Sequence, residues 1–148
     1  MKKTVFLIVF TALLVACGDA VKAPQTQETS SEFNKEIADT IDGGTMLIGP
    51  INANGLSKAP YSEWFASAAQ AYEPDMTIVN ELKPLLKNHS MKVFMGTWCE
   101  DSQREVPALL KLLDLADFKK QQLDMVAVSH DKDTPDHLEE GYALEFVP

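Results

Sequence analysis

The stretch "MKVFMGTWCEDSQREVPALLKLLDLADFKKQQLDMVAVS", Met91 to Ser129, decides the fold class of this chain. Its first five residues form an apolar run that predicts a strand, and the run from Leu123 to Ser129 predicts another. Between them, a helix is predicted after Cys99, because apolar residues recur there at helical spacing. These residues are Val106, Leu109, Leu110, Leu113 and Ala116. The order strand, helix, strand predicts two parallel strands joined by a right-handed crossover, and therefore an α/β fold.

Length and composition limit the kinds of protein this chain can be. It has 148 residues, of which 45% are hydrophobic and 24% charged, and its formal net charge is −9. This balance is typical of a globular domain, and the length suffices for one domain with accessory segments. No cluster of basic and aromatic residues appears along the chain, so nucleic acid is not expected as a partner.

The first 16 residues are predicted to be a secretory signal peptide. Lys2 and Lys3 precede an apolar run, Val5 to Ala16, which is too short to span a bilayer and ends in small residues. The end of this run, "LVAC", resembles the lipobox of bacterial lipoproteins. The resemblance implies cleavage before Cys17 and lipid attachment to the Cys17 sulfur. An ordinary signal peptide that happens to contain a cysteine is the alternative.

The lipobox resemblance also implies a location. A lipid-anchored chain of this kind belongs to the bacterial cell envelope, held on a membrane surface. Gly18, rather than an aspartate, follows the lipidated cysteine. Under the sorting rule of enteric bacteria this slightly favours the outer over the inner membrane.

Three further segments follow the signal peptide. Residues 17–40 are polar and are interpreted as a flexible tether. Residues 41–90 form an N-terminal extension with helices, and residues 91–148 form the α/β core. In the extension, Gly43 to Ile51 is expected to hold a short strand that Gly49-Pro50 interrupts.

Two helices are predicted in the extension. The first begins at Pro60 and carries an aromatic stripe, which is interpreted as core packing. The second opens at Pro74-Asp75 and should be kinked or split at Pro84. Its predicted apolar side consists of Ile78, Leu82, Leu85 and Leu86.

The end of the chain is predicted from turn and helix signals. Residues 131–141 are expected to form a loop and a short helix that starts at Thr134, before Pro135, and stops at Gly141. "YALEFVP", Tyr142 to Pro148, is expected to lead into another strand.

Cys99 is the candidate reactive group. It stands where the predicted strand meets the predicted helix, and the free N–H groups of a helix N-terminus favour a thiolate there. Ser102, three residues on, is expected to direct its hydroxyl to the sulfur, whereas Glu100 and Asp101 oppose the thiolate by repulsion. If Cys17 carries lipid, Cys99 has no partner for an intramolecular disulfide.

The segment "FMGTWCEDS", followed by Pro107, resembles the active-site segment of the thioredoxin family. The resemblance covers residues 91–148 and implies a thioredoxin-like fold, with Cys99 as nucleophile and Trp98 and Ser102 as its catalytic neighbours. "EFVP" is similar to the segment that holds the family's cis-proline, which implies that Val147 and Pro148 bind substrate.

Three departures from the family's pattern matter. Ser102 replaces the second cysteine, and Val93 stands where many members have a buried acid. The fold that the resemblance implies continues with two more strands and a helix. The chain is therefore expected to be a fragment of a longer one, with an open sheet edge and an uncovered face.

The resulting functional hypothesis is monothiol exchange. Cys99 would form a mixed disulfide with a protein or small-molecule partner, and an external or substrate thiol would release it. No cofactor is implied. The alternative is a catalytically inert thioredoxin-fold interaction module at the membrane surface, with Cys99 as a packing residue.

Other chemistries fit the sequence less well. A one-cysteine peroxidase would need a threonine three residues before the nucleophile, but Thr97 is two before it. Glu100-Asp101 is unlike the pair at glutaredoxin-type iron–sulfur sites, and a copper carrier would need a second cysteine. His130, Asp131 and His137 match no strong metal-binding pattern, so no metal is expected.

Overall fold

The computed structural model describes residues 33–148, in which four strands form one mixed sheet accompanied by four helices. The strands are β1 (Lys35–Ala38), β2 (Thr45–Ile51), β3 (Met91–Met95) and β4 (Leu123–Ala127). The helices are α1 (Ala53–Leu56), α2 (Ser62–Ala71), α3 (Met76–Leu86) and α4 (Glu100–Leu115), and a 3-10 turn covers Lys120–Gln122. The α/β class is confirmed. The predicted signal peptide, the lipid-attachment residue Cys17 and tether residues 18–32 lie outside the described residues.

The sheet has the strand order β1-β2-β4-β3. β3 and β4 are parallel, with Met91 opposite Leu123 and Met95 opposite Ala127, as the strand–helix–strand pattern predicts. β4 ends two residues earlier than expected. β2 runs antiparallel to both β1 and β4. The carboxyl ends of β3 and β4 and the turn between β1 and β2 therefore meet at one edge of the sheet.

The two faces of the sheet are covered differently. Alternate residues of a strand point to opposite faces, so Val93 and Met95 lie on one face and Phe94 on the other. The first face packs against the helices: Val106 of α4 joins the buried cluster there. The second face holds a smaller cluster, covered by Leu138, Leu144 and Val147 of the C-terminal segment. The expected uncovered face is thus covered in part.

The N-terminal strands correct two expectations. β1 lies inside the range 17–40 that was predicted to be tether, because Lys35–Ala38 pairs with Thr45–Ile48 of β2. β2 is not cut off at Gly49-Pro50. Gly49 adopts a left-handed φ of +79°, which glycine tolerates without strain, and both residues keep their places opposite β4.

The aromatic stripe of α2 packs into the core, as predicted. The helix begins at Ser62, two residues after Pro60. Tyr61 is buried in the core cluster, and Trp64 and Phe65 pack against it half-buried. The first face of the sheet is therefore closed by aromatic side chains from this helix and its N-terminus.

Helix α3 differs from its prediction in two respects. The Asp75 side chain caps the helix by accepting from the Thr77 N–H at 2.8 Å. Val79 is fully buried and Leu82 and Leu86 are half-buried, whereas Ile78 and Leu85 are exposed, so the predicted apolar side was wrong at two of its four positions. Pro84 does not split the helix, which continues to Leu86 although proline has no N–H to donate to the preceding turn.

The C-terminal segment is irregular where a helix and a strand were predicted. The Thr134 hydroxyl accepts from the Leu138 N–H at 2.8 Å, which makes a local turn. His137 has a φ of +54°, which a right-handed helix cannot accommodate. Beyond Gly141, the Tyr142 ring meets Phe94 edge-on at 4.9 Å between centroids. The segment therefore covers the sheet face without pairing as a strand.

Candidate thiol site

Cys99 is the N-cap residue of α4, directly after the loop that follows β3. Its side chain is half-buried and makes no capping hydrogen bond. Its N–H donates to the Gly96 carbonyl oxygen at 3.0 Å, which closes a tight turn. The unpaired N–H groups of the first helical turn favour negative charge at this point. The Cys99 side chain is thus half-buried at the N-terminus of a helix.

The loop before Cys99 is tied to the strand and the helix beside it. Thr97 is buried, and its hydroxyl accepts from the Leu47 N–H of β2 at 3.1 Å. The Gln103 side-chain amide of α4 donates to the Thr97 carbonyl oxygen at 2.8 Å. These two bonds fix the backbone that presents Trp98 and Cys99.

The hydroxyl of Ser102 does not bind the Cys99 sulfur, contrary to the expectation. Ser102 is fully buried and accepts from the Gly96 N–H at 3.2 Å. Its own proton goes to the backbone carbonyl oxygen of Pro148 at 2.5 Å. A hydroxyl has one proton to donate, so the sulfur receives none from Ser102.

Pro148 lies at the thiol, and Val147 does not. The Cys99 thiol donates a hydrogen bond to the backbone oxygen of Pro148 at 3.5 Å, a contact that the protonated sulfur makes and a thiolate cannot. Val147 packs onto the second sheet face instead. The Val147–Pro148 bond is trans, and among residues 33–148 the cis bond is Ala59–Pro60. A groove of about 260 Å³ runs beside Pro148, with Val93, Val106 and Leu109 among the residues that line it.

The exposed face of α4 carries two ion pairs. Arg104 contacts Asp101 at 2.7 Å and Glu105 at 2.9 Å. Its two carboxylate partners, Glu105 first, raise the pKa of the Arg104 guanidinium. Because Asp101 is paired, its repulsion of a thiolate at Cys99 is partly neutralised.

Trp98 stacks on His130, and His130 in turn contacts Asp39; the sequence associated neither residue with the site. The Trp98 ring stacks on His130 with 4.2 Å between centroids and 21° between planes. The His130 Nε2 atom is 3.1 Å from each carboxylate oxygen of Asp39. Asp39 and His130 are 91 positions apart, and Asp39 falls in the range predicted to be tether. No local pattern could have joined them, because the hairpin turn and the β4 loop meet only in the folded sheet.

His130 does not form a group with Asp131 and His137. Among residues 33–148 it lies instead with Asp39 and Asp42, whose ligand atoms and its own fall within 4.8 Å of one another. Both Asp39 oxygens are already hydrogen-bonded to His130, and one also accepts from the Ile41 and Asp42 N–H groups. These bonds satisfy the buried carboxylate without a cation.

Within residues 33–148, no helix is long and apolar enough to cross a membrane. Comparison with known proteins gave no matching family model, no matching curated protein and no matching solved structure.

Proposed function

We propose that this protein carries out monothiol thiol–disulfide exchange through Cys99. The observation that carries the proposal is the position of the Cys99 residue, which is half-buried at the N-terminus of α4, after the short loop that joins β3 to this helix. A thiolate is the reactive form in such exchange, and a helix N-terminus favours it. In the described part of the chain Cys99 is the free cysteine, so a resolving thiol must come from elsewhere.

The proposal includes a thioredoxin-like arrangement for residues 91–148. Its supports are the parallel pair of β3 and β4, the helix between them and the buried Pro107 within that helix. Trp98 directly precedes the nucleophile, and the Pro148 carbonyl oxygen lies 3.5 Å from the sulfur. Pro148, with the groove beside it, is the proposed place for a substrate chain.

The exchange takes place in two steps, each of which is the attack of a thiolate on a disulfide. The Cys99 thiolate attacks one sulfur of a disulfide, so that a Cys99 mixed disulfide forms and the second sulfur leaves as a thiolate. A thiolate from the substrate or from a small thiol then attacks the mixed disulfide at the substrate sulfur. A new disulfide forms between those two groups, and Cys99 leaves as a thiolate again. With a substrate thiol the net result is isomerisation, and no external electron donor is consumed.

The proposed location is the bacterial cell envelope, with lipid at Cys17 and the outer membrane slightly favoured. The support is the run from Lys2 to the "LVAC" sequence. Metabolic labelling with radioactive palmitate tests it. We expect label on the parent chain and none on a Cys17→Ser variant, and an unlabelled parent chain would overturn the assignment.

The test of the activity uses the full-length chain purified in detergent. We expect iodoacetamide to modify Cys99 at pH 7 about tenfold faster than it modifies a small model thiol. In the presence of envelope extract, Cys99 should be found by mass spectrometry in specific mixed disulfides. Cys99→Ser, which changes one atom, is the matched control and should abolish both signals. If iodoacetamide modified native Cys99 no faster than the model thiol and no mixed disulfides were found, the proposal would fail and the inert interaction module would be favoured.

A further inference from the structure

Three loops at one edge of the sheet converge on Trp98. The β3–α4 loop carries Trp98 itself, the loop after β4 carries His130, and the turn between β1 and β2 carries Asp39. The imidazole of His130 lies flat on the indole, and its Nε2–H donates to the Asp39 carboxylate. The result is a chain of contacts from the hairpin turn to the residue next to Cys99.

The Asp39 carboxylate is held rigidly. Its side chain is 3% exposed, and the Ile41 and Asp42 N–H groups donate to it at 3.0 and 3.1 Å. The hydrogen bond from His130, followed by those from the turn, lowers the pKa of Asp39 below its usual value. A buried carboxylate without partners would be costly, so the hydrogen bond keeps the imidazole in place.

The loop after β4 presents His130 in one orientation. The Ser129 N–H donates to the Asp133 carbonyl oxygen at 3.0 Å, and the two side chains of this pair are also hydrogen-bonded. The Lys132 ammonium donates to the His130 carbonyl oxygen at 2.7 Å and lies 5.7 Å from the centroid of Trp98. The remaining charged group near the imidazole is Asp42, whose carboxylate is 3.9 Å from Nε2 and largely exposed.

Two further contacts restrict the position of the Trp98 indole. Its Nε1–H donates to the Val128 carbonyl oxygen at 3.0 Å. It also lies so close to Gly96 that a Cβ atom there would be 2.4 Å from the indole Cε2. Gly96 in turn accepts the Cys99 N–H and donates to Ser102. The position of the indole is therefore coupled to the backbone turn that sets the direction of the Cys99 thiol.

We infer that Asp39 and His130 are positioning residues that hold the Trp98 indole and, through it, the reactive geometry of Cys99. Asp39 acts by anchoring His130, and His130 acts by stacking on Trp98; neither is proposed to touch the substrate. The effect on exchange rests on the proposed function of Cys99. The effect on Trp98 does not, so the two can fail separately.

The experiment measures the accessibility of the Trp98 indole and the exchange rate at Cys99 separately, both in the full-length chain. The chain has two tryptophans, Trp64 and Trp98, so a Trp64→Phe background makes Trp98 the single reporter. In that background, we compare Asp39→Ala, His130→Ala, the double variant and Asp42→Ala. Acrylamide quenching measures the access to the indole, and the rate of reaction with 5,5′-dithiobis(2-nitrobenzoate) measures exchange at Cys99.

We expect each single variant at Asp39 or His130 to raise the quenching constant and to slow exchange, both by about twofold or more. The double variant should be no worse than either single one, because both changes break the same chain of contacts. Asp42→Ala removes an exposed carboxylate of the same type and should leave both readings within about 1.5-fold of the background.

Asp39→Asn keeps the shape of the side chain and one acceptor oxygen, and it replaces Asp39→Ala if that variant does not fold. Its quenching constant should fall between those of the background and His130→Ala. Unchanged quenching in folded Asp39 and His130 variants would overturn the inference, and so would increased quenching with an unchanged exchange rate. If the quenching constant of Trp98 rises in the variants but Cys99 of the background protein reacts no faster than a model thiol, the proposed function alone would be overturned.

Discussion

The Ser102 hydroxyl donates a hydrogen bond to the carbonyl oxygen of Pro148, although the two residues are 46 positions apart in the chain. The Cys99 sulfur lies 3.5 Å from that same oxygen. One backbone oxygen of Pro148 therefore faces both ends of the segment from Cys99 to Ser102. Ser102, the residue in the place of a second thiol, therefore donates to the C-terminal segment and not to the Cys99 sulfur.

Ser102→Cys is predicted to change how exchange ends. The new thiol would stand three residues after Cys99 on the same helix, close enough to attack a mixed disulfide at the Cys99 sulfur. Substrate would then leave as a thiolate while the two positions form an internal disulfide. Gel electrophoresis measures how fast substrate is released from the mixed disulfide. In this variant the release should no longer depend on added small thiol.

Ser102→Ala is the control for this variant. It loses the donor to Pro148 and leaves the Gly96 N–H without its acceptor, which should lower the free energy of unfolding by about 1–3 kcal/mol. It should keep the dependence on external thiol. If release from Ser102→Cys still required external thiol, the monothiol account of this site would be wrong.

Tyr61→Phe is predicted to destabilise the fold in a pH-dependent way. The Tyr61 hydroxyl donates to Glu36 at 3.0 Å and lies 3.3 Å from the Thr45 hydroxyl, joining α2 to β1 and β2. Its loss should lower the free energy of unfolding at pH 7 by about 1 kcal/mol. Burial, with the Glu36 carboxylate, raises the pKa of Tyr61 to about 12.

The sign of the pH effect follows from that shift. The tyrosine of the unfolded chain ionises near ~10, below the pKa in the folded state. The contribution of Tyr61 is therefore complete below pH 10 and is lost as the pH rises towards 12. Urea unfolding should show a gap between parent and variant at pH 7 that shrinks at pH 11. The control Tyr142→Phe changes an exposed tyrosine, and its unfolding free energy should differ little from that of the parent at either pH. If Tyr61→Phe differed from the parent by the same amount at pH 7 and pH 11, the raised pKa of Tyr61 would be refuted.

Leu56→Ala is predicted to be costly and Leu85→Ala nearly neutral, although the chemical change is the same. Leu56 is completely buried in the core cluster, and Leu85 is 64% exposed on α3. The first variant should lose about 2–5 kcal/mol of unfolding free energy and the second less than about 0.5 kcal/mol. Thermal or urea unfolding measures both. A comparable loss at Leu85 would mean that α3 buries the apolar side that the sequence had indicated.

The βαβ unit of β3, α4 and β4 could be predicted because its signals are local. β3 has the predicted bounds, and α4 starts at the residue after Cys99. Predictions were less successful where a local signal competes with tertiary contacts. Gly49-Pro50 reads as a strand breaker, yet both residues pair with β4 and the strand continues to Ile51. Thr134-Pro135 reads as a helix start, yet the segment follows the sheet surface instead.

The sequence by itself determined the α/β class, the parallel pair β3 and β4 and the place of Cys99 at a helix N-terminus, because periodicity and capping act within a few residues. Only the tertiary structure decided what surrounds the thiol. The Ser102 proton goes to Pro148, and Asp39 holds His130 against Trp98. These partners come from strands and loops far apart in the chain, and they meet because the sheet brings three loops to one edge.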